Sequence, residues 1–246
     1  MSDAGETRDR VLVEMTIAAP AEAVWDALKD PGKIYNWHGW DAPELRDEVE
    51  YIYSKYGRYD DAAMTLRFEG MGDRFEVEPR GGESVLRVVR AMPADAEWDD
   101  IYEDMTEGWI SFVEQLRLGL EQHDMGPRRT IYLSGSGAVP SEALGLGGLL
   151  DTPPGERVQA TLATGDAVDG VAWHRTPWQF GVTMPQWGDG LLIVTDKSRT
   201  DEAPDGRGMV ILTTYDMDDA AFAALEARWK DWWGRQFAES GGAGCG

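Results

Sequence analysis

The chain has 246 residues, a formal charge of −22, and 42% hydrophobic content that includes 11 Trp and 6 Phe. That length buries a sizeable core, and the aromatic content excludes a disordered chain. An acidic balance repels phosphate backbones and anionic lipid, so nucleic acid and membrane are excluded as partners; a basic protein is the macromolecular partner the charge allows. Residues 1–123 carry a net −15 and residues 124–246 a net −7. No apolar run approaches the roughly 20 residues that span a bilayer and no charged-then-apolar leader opens the chain, so a soluble, cytoplasmic protein is expected. The single cysteine, Cys245, stands in a Gly-rich tail and excludes an internal disulfide framework.

Residues 1–9 are polar and expected to be disordered. A strand is expected from about Arg10 to Ala18, because Val11, Val13, Met15 and Ile17 recur with period two. Pro20 suits a first helical position, Glu22 complements the helix N-terminus, and Val24, Trp25 and Leu28 form an apolar stripe up to the break at Asp30-Pro31. The aromatic cluster Trp37-His38-Gly39-Trp40 follows. Residues 43–56 predict a short helix with Leu45, Val49, Ile52 and Tyr53 on one side, and no strand is legible between Trp40 and Met64. Met64–Phe68, Arg74–Glu78 and Ser84–Arg90 predict strands joined by glycine turns. A long helix is expected from about Trp98 to Gln122, with Ile101, Met105, Trp109, Phe112, Leu116 and Leu120 at helical spacing.

His123 to Pro127 closes that helix and predicts a domain boundary. The second half then follows the same plan: a strand at Arg129–Gly137 and a short helix from Val139. Further strands are expected at Arg157–Ala163, Val168–Arg175, Gln179–Thr183, Leu191–Thr195 and Met209–Thr214. A last helix, Asp218–Phe237, carries Phe222, Leu225, Trp229, Trp232 and Trp233. The organisation expected is residues 10–123 and 129–237 as two copies of one unit, a linker at 124–128, and a flexible tail at 238–246. A curved antiparallel sheet crossed by one long helix leaves part of its apolar face uncovered, which makes a cavity. The candidate lining residues are Trp25, Trp37, His38, Trp40, Tyr53, Phe68, Phe75, Trp109, Phe112, Trp173 and Trp229. The same rings would equally serve to fill a core.

The first half resembles the START-like, helix-grip superfamily known as SRPBCC, and within it the branch named for the activator of the heat-shock-protein ATPase. The residues that carry the resemblance are the strand VLVEMTIAAP, the helix AEAVWDALKDP, Trp37, the hairpin DRFEVEPRGGESVLRVVRA and the closing MTEGWISFVEQLRLGLEQH. The second half matches in its final helix, EARWKDWWGRQF, and lacks the A-P-x-x-x-V-W signature. The resemblance implies an α+β fold: a curved antiparallel sheet wrapped around a long C-terminal helix, repeated twice. It implies a hydrophobic, lipid- or polyketide-like ligand, or a chaperone partner as in the ATPase-activator branch, or cyclase/dehydratase chemistry on a polyketide.

The histidines His38, His123 and His174 stand in no H-x-x-x-H or H-E-x-x-H arrangement, so no metal and no cofactor is expected. His38, between rings at the mouth of the expected cavity, and Tyr53 are the candidates for acid–base work, though a packed loop histidine fits His38 as well. On the strand around Trp173-His174 alternation lets one of the two point inward, and the tryptophan is expected to do so. With Phe68 and Phe75 inward, Arg67, Glu69, Arg74 and Glu76 face out as cross-strand ion pairs. The glycines of residues 143–150 match no phosphate loop, and no G-x-S-x-G elbow occurs. Binding of a hydrophobic small molecule without assigned catalysis is the leading expectation.

Overall fold

The computed structural model describes residues 7–93, 100–197 and 207–239. The chain divides into two compact units, with the boundary between Pro127 and Arg128. The first unit contains β1 (Thr7–Ile17), α1 (Ala21–Lys29), α2 (Pro31–Ile34) and α3 (Leu45–Val49), then a π-helical stretch over Glu50–Tyr56. It continues through β2 (Gly57–Asp60), β3 (Thr65–Phe68), β4 (Asp73–Arg80), β5 (Glu83–Pro93) and α4 (Asp100–Gln122). Its five strands pair antiparallel in the order β1-β5-β4-β3-β2.

Local chemistry accounts for the first turns. Pro20 sits one residue before α1 instead of inside it, and its carbonyl accepts from Ala23 and Val24 at 2.9 and 3.2 Å. Asp30 ends α1 and caps α2, its carboxylate accepting from the Gly32 N–H at 2.7 Å with Pro31 at the first helical position. The strand starts at Thr7, so residues 7–9 are paired and not disordered, and Val11 is 52% exposed. A register shift between Val11 and Val13 explains that: the bulge breaks the alternation, and Val13, Met15 and Ile17 alone keep the buried face. Strand β2 fills the stretch where none was legible. It is an edge strand buried only at Gly57, so it carries no hydrophobic period. On α4 the apolar side comprises Trp109, Phe112, Val113, Leu116 and Leu120. Met105 continues that side one turn earlier but is 46% exposed, with its sulfur 3.8 Å from Arg90 Nη1, and the expected Ile101 contact lies outside the described side chains.

The second unit contains β6 (Arg129–Ser136), α5 (Pro140–Leu144), a 3-10 turn at Gly147–Leu149, β7 (Arg157–Thr161), β8 (Ala167–Arg175) and β9 (Gln179–Met184). A second 3-10 turn, Pro185–Trp187, leads to β10 (Gly190–Lys197), β11 (Arg207–Thr214), α6 (Asp219–Gln236) and β12 (Ala238–Glu239). The strand order is β12-β6-β11-β10-β9-β8-β7. Ala238 and Glu239, expected to open a flexible tail, instead pair with Ser136 and Gly135; the rest of that expected tail, Cys245 included, lies outside the described residues. Helix α6 is capped by Asp218, which accepts from the Ala221 N–H at 2.8 Å. It buries Phe222, Leu225, Trp229, Trp232 and Trp233 against the sheet's apolar face. Among the described residues no helix is long and apolar enough to cross a membrane.

Candidate functional site

Seven of the candidate side chains meet in one aromatic nest inside the first unit. Trp37 and His38 come from the turn after α2, Tyr53 from the π-helical stretch, Phe68 and Phe75 from β3 and β4, and Trp109 and Phe112 from α4. His38 is the hub: its ring centroid lies 4.8 Å from Phe112, 5.2 Å from Tyr53, 5.7 Å from Trp37 and 6.2 Å from Trp109. Phe68 stacks on Trp109 at 5.9 Å, and Phe75 meets Trp109 edge-on at 5.0 Å. His38 and Tyr53 are each 1% exposed, whereas Trp40, Trp109 and Phe112 are half-buried and form a rim.

Both nitrogens of His38 are engaged. The Tyr53 hydroxyl lies 3.0 Å from Nδ1 and the Glu48 Oε1 3.3 Å from Nε2. A carboxylate at Nε2 assigns the ring proton there and leaves Nδ1 to accept from the phenol. Burial, followed by the charges of Tyr59 and Glu48, pushes the Tyr53 phenol well above its ordinary value, so Tyr53 stays a donor. Glu48 and Tyr53 are five residues apart. An α-helix would turn them to different sides, but i→i+5 bonding through Glu50–Tyr56 brings both onto one imidazole. The result is a hydrogen-bonded chain from a half-exposed carboxylate, through an imidazole, to a buried phenol.

Below the nest sits a buried ion pair. Arg90 donates to both oxygens of Asp73 at 2.6 Å each, and Trp109 Nε1 donates to Asp73 Oδ2 at 2.9 Å, which fixes the indole. The second unit repeats the device: Asp166 accepts from Trp229 Nε1 at 2.9 Å, from Arg228 at 2.6 Å and from Thr164 at 2.7 Å. In both copies the carboxylate follows a glycine in the left-handed region, Gly72 at φ +78° and Gly165 at φ +88°, and receives the indole of the long C-terminal helix. That recurring Gly-Asp was present in the sequence and went unread, as did Glu48, which stands in an acid-rich segment.

The remaining candidates lie elsewhere. Trp40 touches the nest's edge through Phe112 at 6.1 Å. Trp25 packs on Tyr59 at 6.1 Å and donates to Asp61 at 2.8 Å, away from His38. Trp229 belongs to the second unit's core beside Trp187. Trp173 is half-buried and outside that core, while its neighbour His174 is 4% exposed. The inside–outside alternation of β8 runs unbroken through Val168, Gly170 and Ala172 to His174, so the histidine, and not the expected tryptophan, lies on the buried side. His174 Nε2 lies 2.8 Å from Gln179 Oε1, and its ring occupies the space over Gly181, where a Cβ would stand 2.2 Å from Nδ1. The outward charges pair as Arg74–Glu76 at 2.6 Å along one strand, Arg74–Asp9 at 2.7 Å, and Arg58–Glu69. Among the described residues no group of three or more His, Cys, Asp or Glu is placed to hold a metal.

No family model matches the chain, and no curated protein does. Among solved structures it is similar to DynU16, a protein of the dynemicin biosynthetic locus (14% identity, 92% of this chain and 94% of that one, TM-score 0.32). It is similar also to StfQ, a di-domain ARO/CYC from the steffimycin biosynthetic pathway (14% identity, 91% of each chain, TM-score 0.35). An AHSA1-like protein from Rhizobium etli aligns with 52% of this chain and 91% of its own at 21% identity and a TM-score of 0.36. At these scores the fold rests on the observed strand order and helix packing. Two antiparallel sheets, each packed by the long helix that follows it, make the chain a tandem pair of helix-grip units.

Proposed function

We propose that the first unit binds a planar, ring-bearing small molecule that carries a hydroxyl or carbonyl group. The observation that supports this reading is the His38–Tyr53 hydrogen bond enclosed by aromatic rings. The half-buried rim of Trp40, Trp109 and Phe112 offers stacking surfaces, and the phenol oxygen, which donates to the imidazole, keeps a lone pair as a polar anchor. The test is a thermal-shift screen of the full chain against fatty acids, steroids, aromatic polyketides and flavonoids, repeated on His38→Ala and Trp109→Ala. Binding at a hundred times Kd stabilises by about 2.7 kcal/mol. Stabilisation by the ring-bearing classes that Trp109→Ala abolishes is the expected result. A flat screen on a folded protein contradicts the reading and turns the search to a basic protein partner.

The Glu48–His38–Tyr53 chain favours a second reading, acid–base catalysis on a polyketide-like substrate. Glu48 orients the imidazole through Nε2, and the phenol supplies a proton at the buried end. On that reading, turnover of an aromatic precursor falls about 10²–10⁴-fold in His38→Ala, while binding that persists without turnover supports the first.

A further inference from the structure

The second unit contains a cavity of about 230 Å³ between the turn after α5 and the β8–β9 connection. Leu150, Trp178 and Phe180 give it apolar walls, and Asp196 and Arg175 bring charge to it. Arg175 is paired with Asp151 at 2.7 Å. Asp196 accepts the Ser141 N–H at 3.0 Å and the Ser141 hydroxyl, and among the described residues no cation pairs with it. Asp196 is half-buried, and the two fully buried aspartates described above each hold an arginine, Asp73 with Arg90 and Asp166 with Arg228. Burial pushes the Asp196 carboxyl above its ordinary value, the bonds from Ser141 opposing and the charge of Glu142 reinforcing the shift. A partly desolvated carboxylate that pairs with no cation among the described residues, at a cavity with aromatic walls, is the complement of an organic cation.

We propose that this cavity binds a small organic cation, a protonated amine on an aromatic body, with the ammonium on Asp196 and the ring against Trp178 and Phe180. The volume corresponds to on the order of eight waters, which suits a ligand of one ring and a short chain. The net charge of −22 raises the local concentration of such cations. The site is separate from the aromatic nest of the first unit, and the proposal stands without it.

Benzylamine, phenethylamine and tryptamine are the probes, titrated into the full chain by calorimetry and by amide NMR. The controls are 2-phenylethanol, neutral and of the same shape as phenethylamine, and phenylacetate. Phenethylamine is expected to bind at least about tenfold more tightly than 2-phenylethanol, with shifts at Trp178, Gln179 and Asp196 amides, and phenylacetate not at all. Asp196→Asn is expected to remove the preference for the amine. Because that change also alters the bond to α5, Trp178→Leu serves as the second variant; it leaves Asp196 and Ser141 in place and is expected to weaken all amines. Equal affinity for amine and alcohol, amine binding unchanged in folded Asp196→Asn, or no binding of any probe at millimolar concentration would each overturn the proposal.

Discussion

His38 is held at both ring nitrogens, and its two bonds respond differently to change. Tyr53→Phe removes the hydroxyl from a buried imidazole and is expected to cost about 1–3 kcal/mol in urea unfolding. A cost near zero would show that the bond adds nothing to stability. The phenol also sets an alkaline limit. Its folded pKa lies well above the ordinary value of 10.0, so Tyr53 contributes stability in full below about pH 10. Above that pH the unfolded chain releases the proton first, and stability falls by about 1.4 kcal/mol per pH unit until the folded phenol ionises as well. Unfolding measured from pH 9 to 12 should show one such slope fewer in Tyr53→Phe. In the second unit, Gly181→Ala drives a Cβ into the His174 ring, and about 1–3 kcal/mol of destabilisation is expected. His38 and Tyr53 were legible as polar groups among rings. Glu48 was not, since an acid on a solvated helix has no mark that distinguishes it from its neighbours.

At the scale of elements, the Asp73 and Asp166 devices tie a hairpin to the long helix in each unit, from the first residue of β4 and from the β7–β8 turn. Asp73 and Arg90 are 4% and 3% exposed at the side chain, so Asp73→Ala breaks a buried pair and is expected to cost about 3–5 kcal/mol by denaturant titration. A loss below about 1 kcal/mol would show that the indole and guanidinium find equal partners elsewhere. Both long helices were legible, because their apolar positions recur at 3.6 residues, and so were the strands with one buried face. What failed did so where periodicity is broken or absent, at the bulge beside Val11 and in the exposed edge strand β2; at Trp173-His174 the period is intact, and Val168, Gly170 and Ala172 mark the histidine's side as the buried one. The π-helical stretch was read as ordinary helix, since its apolar residues Ile52 and Tyr53 continue the side marked by Leu45 and Val49.

For the whole molecule, the charge of −22 sets a repulsion that the surface ion pairs only partly offset. The melting temperature should therefore rise between 10 mM and 0.5 M sodium chloride; a fall would mean that attractive pairs dominate. The repeat of strand, short helix, meander and long helix identified two copies of one architecture. The recurring Gly-Asp with its distant tryptophan is a link between the copies that only the folded chain displays, because partners 36 and 63 residues apart share no local pattern. The central claim, that the nest around His38 is the ligand site of the first unit, is tested most directly by NMR of the full chain labelled with ¹⁵N-histidine. The free protein should show the His38 proton on Nε2, and the aromatic compound that stabilises most should shift both His38 ring nitrogens, with the shift at Nδ1 lost in Tyr53→Phe. A compound that stabilises the protein and leaves the His38 ring unchanged would contradict the account.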